Sequence, residues 1–353
     1  MPPTVQSNVP RYFRTLCSWH AGLVALLAWS LFTIPLPAQS VVVARKPPPL
    51  RLLSHDRHYE LRTLYVEDPR LPRLSEAQRT ALYAKITRLL SDWLGYTVKL
   101  REVDARGLAA QFAKSEQIFA QRAGDIRETN FDPFGGQGDA MLRQVIARAL
   151  RARPLPMIEG YLKSGPLRSQ AEAVEVARAR FLSRLNDLRA IPTESGQPFY
   201  DPAQSRFSSF GHWWLLMEEI QEADFVLTNS MIVGADQQMP IYVIARGGLT
   251  TGLTTNNHRS PYQAATMVGL MPFLSDSPLF LRERGHIPEE ERLDVIATFC
   301  LHEMGHFFGR FAEHYDHPNC AHVAPTGLNY YDWHKSVRSQ GPCALVHKIT
   351  ERF

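Results

Sequence analysis

Neither sign of charge is in clear excess in this chain. It has 39 Lys and Arg against 35 Asp and Glu, a formal net charge of +4. Two of the basic residues, Arg11 and Arg14, fall in an N-terminal segment with the features of a leader, and without them the balance is 37 to 35. No block of like charge occurs, so the chain lacks the electrostatic footprint of a nucleic-acid-binding protein. Internal repeats and low-complexity tracts are absent. The Gly247-Gly248 pair is not followed by the Lys-Ser/Thr of a phosphate-binding loop, and phosphate chemistry is not indicated. The uncharged apolar run at 21–35 is shorter than the roughly 20 residues a membrane-spanning helix needs.

The composition is that of a globular protein, with 44% apolar and 21% charged residues. The length of 353 residues allows one large domain or two ordinary ones. Residues 1–39 read as a leader: Arg11 and Arg14 form a basic start, residues 21–35 an apolar middle, and Ala38 with Gln39 a small-residue cleavage region. That reading places the remainder outside the cytoplasm, periplasmic or secreted. An uncleaved segment would instead act as a membrane tether. There are four cysteines. Cys17 leaves with the leader, and Cys320 and Cys343 flank one C-terminal loop region and are the expected disulfide. Cys300 is read as a buried thiol.

After the Pro-rich stretch Lys46-Pro47-Pro48-Pro49, residues 59–66 alternate as a strand. Ser75 with Gln78 forms a capping box that opens a helix, whose apolar stripe is Leu82, Ile86, Leu89, Leu90 and Trp93. Gly95 ends it, and residues 96–103 alternate again. A β-α-β unit with parallel strands is expected. Helical patterns then dominate at 108–122, 140–151 and 169–188, separated by breakers at 132–138 and 191–196. Phe207, Phe210, Trp213 and Trp214 are read as packing on the core. Strand character returns at 223–228 and 240–245. The Gly-rich stretch 246–254 would let another backbone approach, either as an edge strand or as a loop. Residues 257–284 read as loop or short helix.

Most of the chemistry lies in His302, Glu303 and His306, which with Gly309 make H-E-x-x-H-x-x-Gly. On a helix the two histidines lie one turn apart on one face, so both imidazoles reach one metal ion. Glu303 is rotated off that line, where it can take a proton from a metal-activated water. That is the division of labour in zinc-dependent peptide hydrolysis. Pro288 followed by Glu289, Glu290 and Glu291 predicts the helix start. Leu293, Ile296, Ala297, Cys300 and Met304 form one stripe, with Val295, Phe299, His302 and His306 on another side. Two buried faces are therefore expected. Zinc needs a third protein ligand and an open position, and Glu313, His314, Asp316 and His317 are near. Seven of the thirteen histidines lie within 302–347. His322, His334 and His347 are read as peripheral, and Tyr330, Tyr331 or His334 as candidates to support an oxyanion.

This motif resembles the metzincin group of zincin metallopeptidases. The resemblance implies an α+β fold, a zincin-like catalytic domain with a small mixed sheet and an active-site helix, here with a large helical insertion. It also implies a Zn2+ cofactor and a peptide or protein substrate. The third ligand of that group is a His three residues after the glycine, where this chain has Ala312. In the archaemetzincin branch the third His precedes a cysteine by six residues, as His314 precedes Cys320. The resemblance thus implies His302, His306 and His314 as ligands through a lengthened loop, with His317 as the alternative. Tyr315 and His322 replace the cysteine and methionine of that branch, and no methionine follows Met304, so the Met-turn is absent. A gluzincin-type ligand would have to be Asp332 or Glu351. The expected organisation is a leader at 1–39, a linker at 40–58, a β-α-β core segment at 59–104, a helical insertion at 105–221, and the core with its metal helix at 222–353. The expected function is that of an exported zinc metallopeptidase with Glu303 as general base. The alternatives are a zinc-binding envelope protein without peptidase activity and a structural or interaction module.

Overall fold

The computed structural model describes residues 58–94, 97–111, 113, 133–199, 217, 223–235, 242–251, 264–309, 320, 321, 323, 325 and 327–341. The chain divides into Met1–Lys46 and Pro47–Phe353, and every described residue belongs to the second unit.

Alternation along the first strand determines which side of the sheet the helices cover. In β1 (His58–Glu67), Tyr59, Leu61 and Tyr65 join the large apolar core, whereas Leu64 and Val66 join a smaller cluster. Side chains two apart share a face, so both faces of β1 are covered. The first helix, α1 (Glu76–Leu94), opens with the expected capping box. The Ser75 N–H donates to Gln78 Oε1 at 2.8 Å and the Gln78 N–H to Ser75 Oγ at 3.2 Å. Its stripe of Leu82, Ile86, Leu89, Leu90 and Trp93 is buried. β2 (Thr97–Gly107) then pairs with β1 in parallel, as expected of a β-α-β unit.

The sheet is completed by β3 (Phe225–Thr228), β6 (Gly248–Thr251) and β7 (Ala265–Gly269), in the order β2-β1-β3-β7-β6. All pairings are parallel except β6 with β7, which is antiparallel. β4 (Ile232–Ala235) and β5 (Val243–Arg246) form a separate antiparallel pair. The mixed sheet with its helices makes the chain α+β. Two strands differ from expectation, β4, which has no counterpart in the sequence reading, and β7. β7 lies within residues read as loop or short helix, and every one of its residues is buried. A short central strand shows no alternation, so its apolar run carries no period. Of the Gly-rich stretch 246–254, Arg246 ends β5 and Gly248–Thr251 form the edge strand β6, one of the two expected forms, while 252–254 lie outside the described residues.

Among the described residues, the helices α2 (Gly136–Leu150), α3 (Leu155–Leu162) and α4 (Gln170–Arg189) lie between β2 and β3. α2 starts inside the expected breaker, and Gly138 is buried in its first turn. α3 has no counterpart in the sequence reading. Ser169 caps α4 by accepting from the Glu172 N–H at 3.2 Å. Leu142, Ile146 and Leu150 of α2, and Ala173, Ala177, Phe181 and Leu185 of α4, are spaced one turn apart and enter the same apolar core as α1. Of the helix expected at 108–122, only residues 108–111 and 113 are described, and they are helical. Phe207, Phe210, Trp213 and Trp214 lie outside the described residues.

After β7 come α5 (Met271–Leu274), α6 (Pro278–Arg284), α7 (Glu289–Gly309) and α8 (Tyr330–Gln340). α7 packs on α1, β6, β7 and α8. Val295, Ile296, Ala297, Phe299, Cys300 and Met304 are all buried, so both expected faces of the helix are covered. Buried Arg284 holds the α5–α6 connection by donating to the Pro272 and Ser275 carbonyls, both at 2.6 Å. Among the described residues no helix is long and apolar enough to cross a membrane.

The C-terminal ends of β1 and β3 are pinned by Asn229. Its Nδ2 donates to the Asp68 carbonyl at 2.8 Å, and its Oδ1 accepts from the Asp68 N–H at 2.7 Å. Asn229→Ala leaves both backbone groups without these partners in a buried site. It is expected to lower stability by about 3 kcal/mol, measured as a shift in the denaturant midpoint at unchanged slope.

Candidate metal centre

α7 carries the motif on its buried C-terminal half: His302, Glu303 and His306 are 1%, 5% and 6% exposed. One helical turn brings the two imidazoles together, with Nε2 of His302 and Nε2 of His306 3.3 Å apart. Two nitrogens bound to one tetrahedral zinc at about 2.0–2.1 Å stand about 3.3–3.4 Å apart. Nδ1 of His302 is 2.7 Å from the Ala321 carbonyl. A carbonyl only accepts, so the proton sits on Nδ1 and Nε2 presents its lone pair. Phe299 and Trp333 flank this ring at centroid distances of 5.6 and 6.1 Å. Trp333 also donates from Nε1 to the Val323 carbonyl at 2.7 Å, and the Val323 N–H to the Cys320 carbonyl at 3.0 Å. The segment that orients His302 is therefore itself held.

Glu303 faces the edge strand. Oγ1 of Thr250 lies 3.0 Å from Glu303 Oε2 and 2.6 Å from Oγ1 of Thr266. Thr250 and Thr266 are register partners on β6 and β7, and their neighbours Leu249 and Met267 point to the opposite face. The strand comes this close because it begins without side chains. A Cβ on Gly248 would sit 2.4 Å from Glu303 Oε1, and one on Gly247 would sit 2.6 Å from the Phe299 ring and 2.8 Å from the Tyr330 hydroxyl.

The remaining site candidates are distributed unevenly. Tyr330 is buried edge-on against Phe299 at 5.2 Å. Burial and then Glu303 raise its phenol pKa, against a lowering by Arg246. Tyr331 is directed away from the motif. Its hydroxyl donates to Glu291 in the first turn of α7 at 2.6 Å, a bond that raises its pKa. His334, read as peripheral, is only 7% exposed. The Thr298 hydroxyl donates to the Asp294 carbonyl, so its oxygen accepts from His334 Nδ1 at 2.8 Å, and burial lowers the imidazole pKa. Asp332 is paired with Lys335 at 2.9 Å on the surface, its side chain 66% exposed. That position does not suit the gluzincin-type ligand. Cys300 is a free, buried thiol, its pKa raised by burial and then by Glu303. Cys320 is disulfide-bonded.

His314, His317, Glu313, Asp316, His322, Cys343, His347 and Glu351 lie outside the described residues. Among the described residues no group of three His, Cys, Asp or Glu side chains is placed to hold a metal ion. Sequence reading missed Thr250, Thr266, the Ala321 carbonyl and Trp333. The two threonines are register partners on β6 and β7, a pairing that only the sheet register reveals. A backbone carbonyl carries no signal of its own.

No family model matches the chain, and no curated protein matches it. Among solved structures, a zinc-dependent peptidase from Methanocorpusculum labreanum aligns with 82% of this chain and 99% of its own. It does so at 12% identity and a TM-score of 0.31. A score that low does not establish a shared fold.

The contact at Gly248 gives a direct test. Gly248→Ala is expected to destabilise the chain by about 1–3 kcal/mol through overpacking against the carboxylate. A Cβ on Gly160, within α3, meets nothing within 4 Å, and Gly160→Ala is expected to raise stability by about 0.5–1 kcal/mol. Equal thermal shifts for the two variants would remove the close-approach argument.

Proposed function

We propose that this chain is a zinc-dependent hydrolase acting on peptide bonds in peptide or protein substrates. The observation that carries the reading is the 3.3 Å separation of the His302 and His306 Nε2 atoms, deep in the core. It matches two cis ligands of a tetrahedral ion, and the donor set of neutral imidazoles suits zinc. Buried Glu303 is the next residue along the helix. His314 is proposed as the third ligand, with His317 as the alternative, on the metzincin-like spacing to Cys320. Zinc bound there would supply Lewis acidity, both to a water and to the scissile carbonyl.

The protein groups take the remaining roles. Glu303 accepts the proton that the attacking water loses and delivers it to the leaving amine nitrogen. The Ala321 carbonyl keeps His302 in the Nδ1–H tautomer, the arrangement by which neighbouring groups orient metal-bound histidines. Tyr330, a phenol whose raised pKa keeps its proton on, is the proposed donor to the oxyanion. A Cys320–Cys343 bridge would tie the ligand loop to the C-terminus. Export through a leader at 1–39, and the role of 105–221 as an insertion, are proposed on sequence pattern. One observation favours a metal-binding protein without peptidase activity: no methionine follows Met304.

Metal content and hydrolysis separate these readings. The purified chain is expected to hold one zinc per molecule, and Glu303→Gln to keep zinc and fold while losing at least about 100-fold in peptide hydrolysis. Metal-free wild-type protein would overturn the zinc assignment. Equal hydrolysis by wild type and Glu303→Gln would overturn the general base. His314→Ala is expected to lose zinc and His317→Ala to retain it; the reverse result transfers the ligand to His317.

A further inference from the structure

We infer that Thr250 is a positioning residue for Glu303, holding its carboxylate in place on the edge-strand side; the inference rests on the hydrolase reading above. Thr266 Oγ1 also lies 3.4 Å from the Leu249 carbonyl, and with Glu303 ionised the two shorter contacts set the proton directions. Oγ1 of Thr250 lies 2.6 Å from Oγ1 of Thr266 and 3.0 Å from Glu303 Oε2. Each hydroxyl has a single proton, and an ionised carboxylate only accepts. The contact to Oε2 therefore takes the Thr250 proton, and the contact between the threonines takes the Thr266 proton. The hydroxyls form a directed pair, Thr266 to Thr250 to Glu303.

The sheet fixes this pair in place. Thr250 and Thr266 face each other across the antiparallel β6–β7 register, and both are buried, at 6% and 0% exposure. The Thr250 oxygen also lies 3.3 Å from the Glu303 backbone carbonyl. It thus touches both ends of the same residue and limits rotation of the side chain. The other carboxylate oxygen is Oε1. That is the oxygen lying against Gly248, where a Cβ would come within 2.4 Å. The edge strand therefore supplies an orienting donor to one carboxylate oxygen and a missing side chain beside the other.

Thr250→Val keeps the branched shape that a strand favours and removes the hydroxyl, both the donor to Glu303 and the acceptor for Thr266. In the zinc-loaded full chain it is expected to lower kcat about 10- to 100-fold with KM unchanged, on the peptide that wild type cleaves fastest from a quenched fluorescent library. Thr250→Ser restores the hydroxyl and is expected to recover most of the rate. Wild-type kcat in Thr250→Val, or no recovery in Thr250→Ser at wild-type zinc content, overturns the positioning role. A double-mutant cycle on the melting temperature, with Thr250→Val, Glu303→Ala and the pair, reads the bond without activity. Non-additive shifts are expected, and additive shifts overturn the bond itself. Wild-type protein that holds zinc but cleaves no peptide, with the cycle still non-additive, overturns the hydrolase reading and leaves the Thr250–Glu303 bond established.

Discussion

A carboxylate buried on a helix must be held by something off the helix, and much of this molecule is arranged around that requirement. Glu303 is 5% exposed. An ionised group removed from water costs several kcal/mol unless charge-assisted hydrogen bonds replace its hydration. The edge strand β6 provides one. It begins on glycine because a side chain at Gly248 would collide with the carboxylate, and it places Thr250 rather than an apolar residue toward the helix. Leu249, one position earlier, points to the other face of the sheet, into the smaller apolar cluster. The alternation of a single four-residue strand thus serves a polar site on one side and a core on the other.

The histidines are held from the opposite direction. The Ala321 carbonyl fixes the tautomer and tilt of His302, and Trp333 on α8 holds the peptide two residues further on. α8 contributes Tyr330 and His334 as well, one packed on Phe299 and the other bonded to Thr298. The sheet therefore orients the candidate base and the C-terminal segment orients His302, both of them on α7. The two supports meet at Tyr330, whose hydroxyl lies 2.8 Å from where a Cβ on Gly247 would stand.

Local rules made some of this legible in the sequence. Ser75 and Gln78 announced a helix start by chemistry that acts within four residues, and the structure shows both bonds. Pro288 and three glutamates did the same for α7, where Glu291 bonds back to the Pro288 carbonyl. The stripes of α1 and α7 followed from period alone. Non-local features were less legible. β7 is buried along its whole length, so its sequence has no period to read, and without β7 the partner of β6 was invisible. Thr250 and Thr266 are sixteen residues apart, and only the register brings them together. Tyr330 and Tyr331 looked equivalent as neighbours in the chain. One helical step of rotation sends the first toward Phe299 and the second to Glu291.

The polar side chains on the second half of α7 form a pattern with one member that differs in kind. Thr298 meets His334, His302 meets the Ala321 carbonyl, and Glu303 meets Thr250, each a donor matched to an acceptor. The His302–His306 contact instead joins two ring nitrogens at 3.3 Å, and the one on His302 carries no proton because Nδ1 does. Two lone pairs aimed at each other at that distance repel, so something positive has to lie between them. A neutral His306 that carries its proton on Nε2 satisfies both rings through an N–H···N hydrogen bond, and in its other tautomer a divalent cation would take the proton's place. The 3.3 Å separation therefore suits either a hydrogen bond or a shared cation, and the tautomer of His306 decides between them.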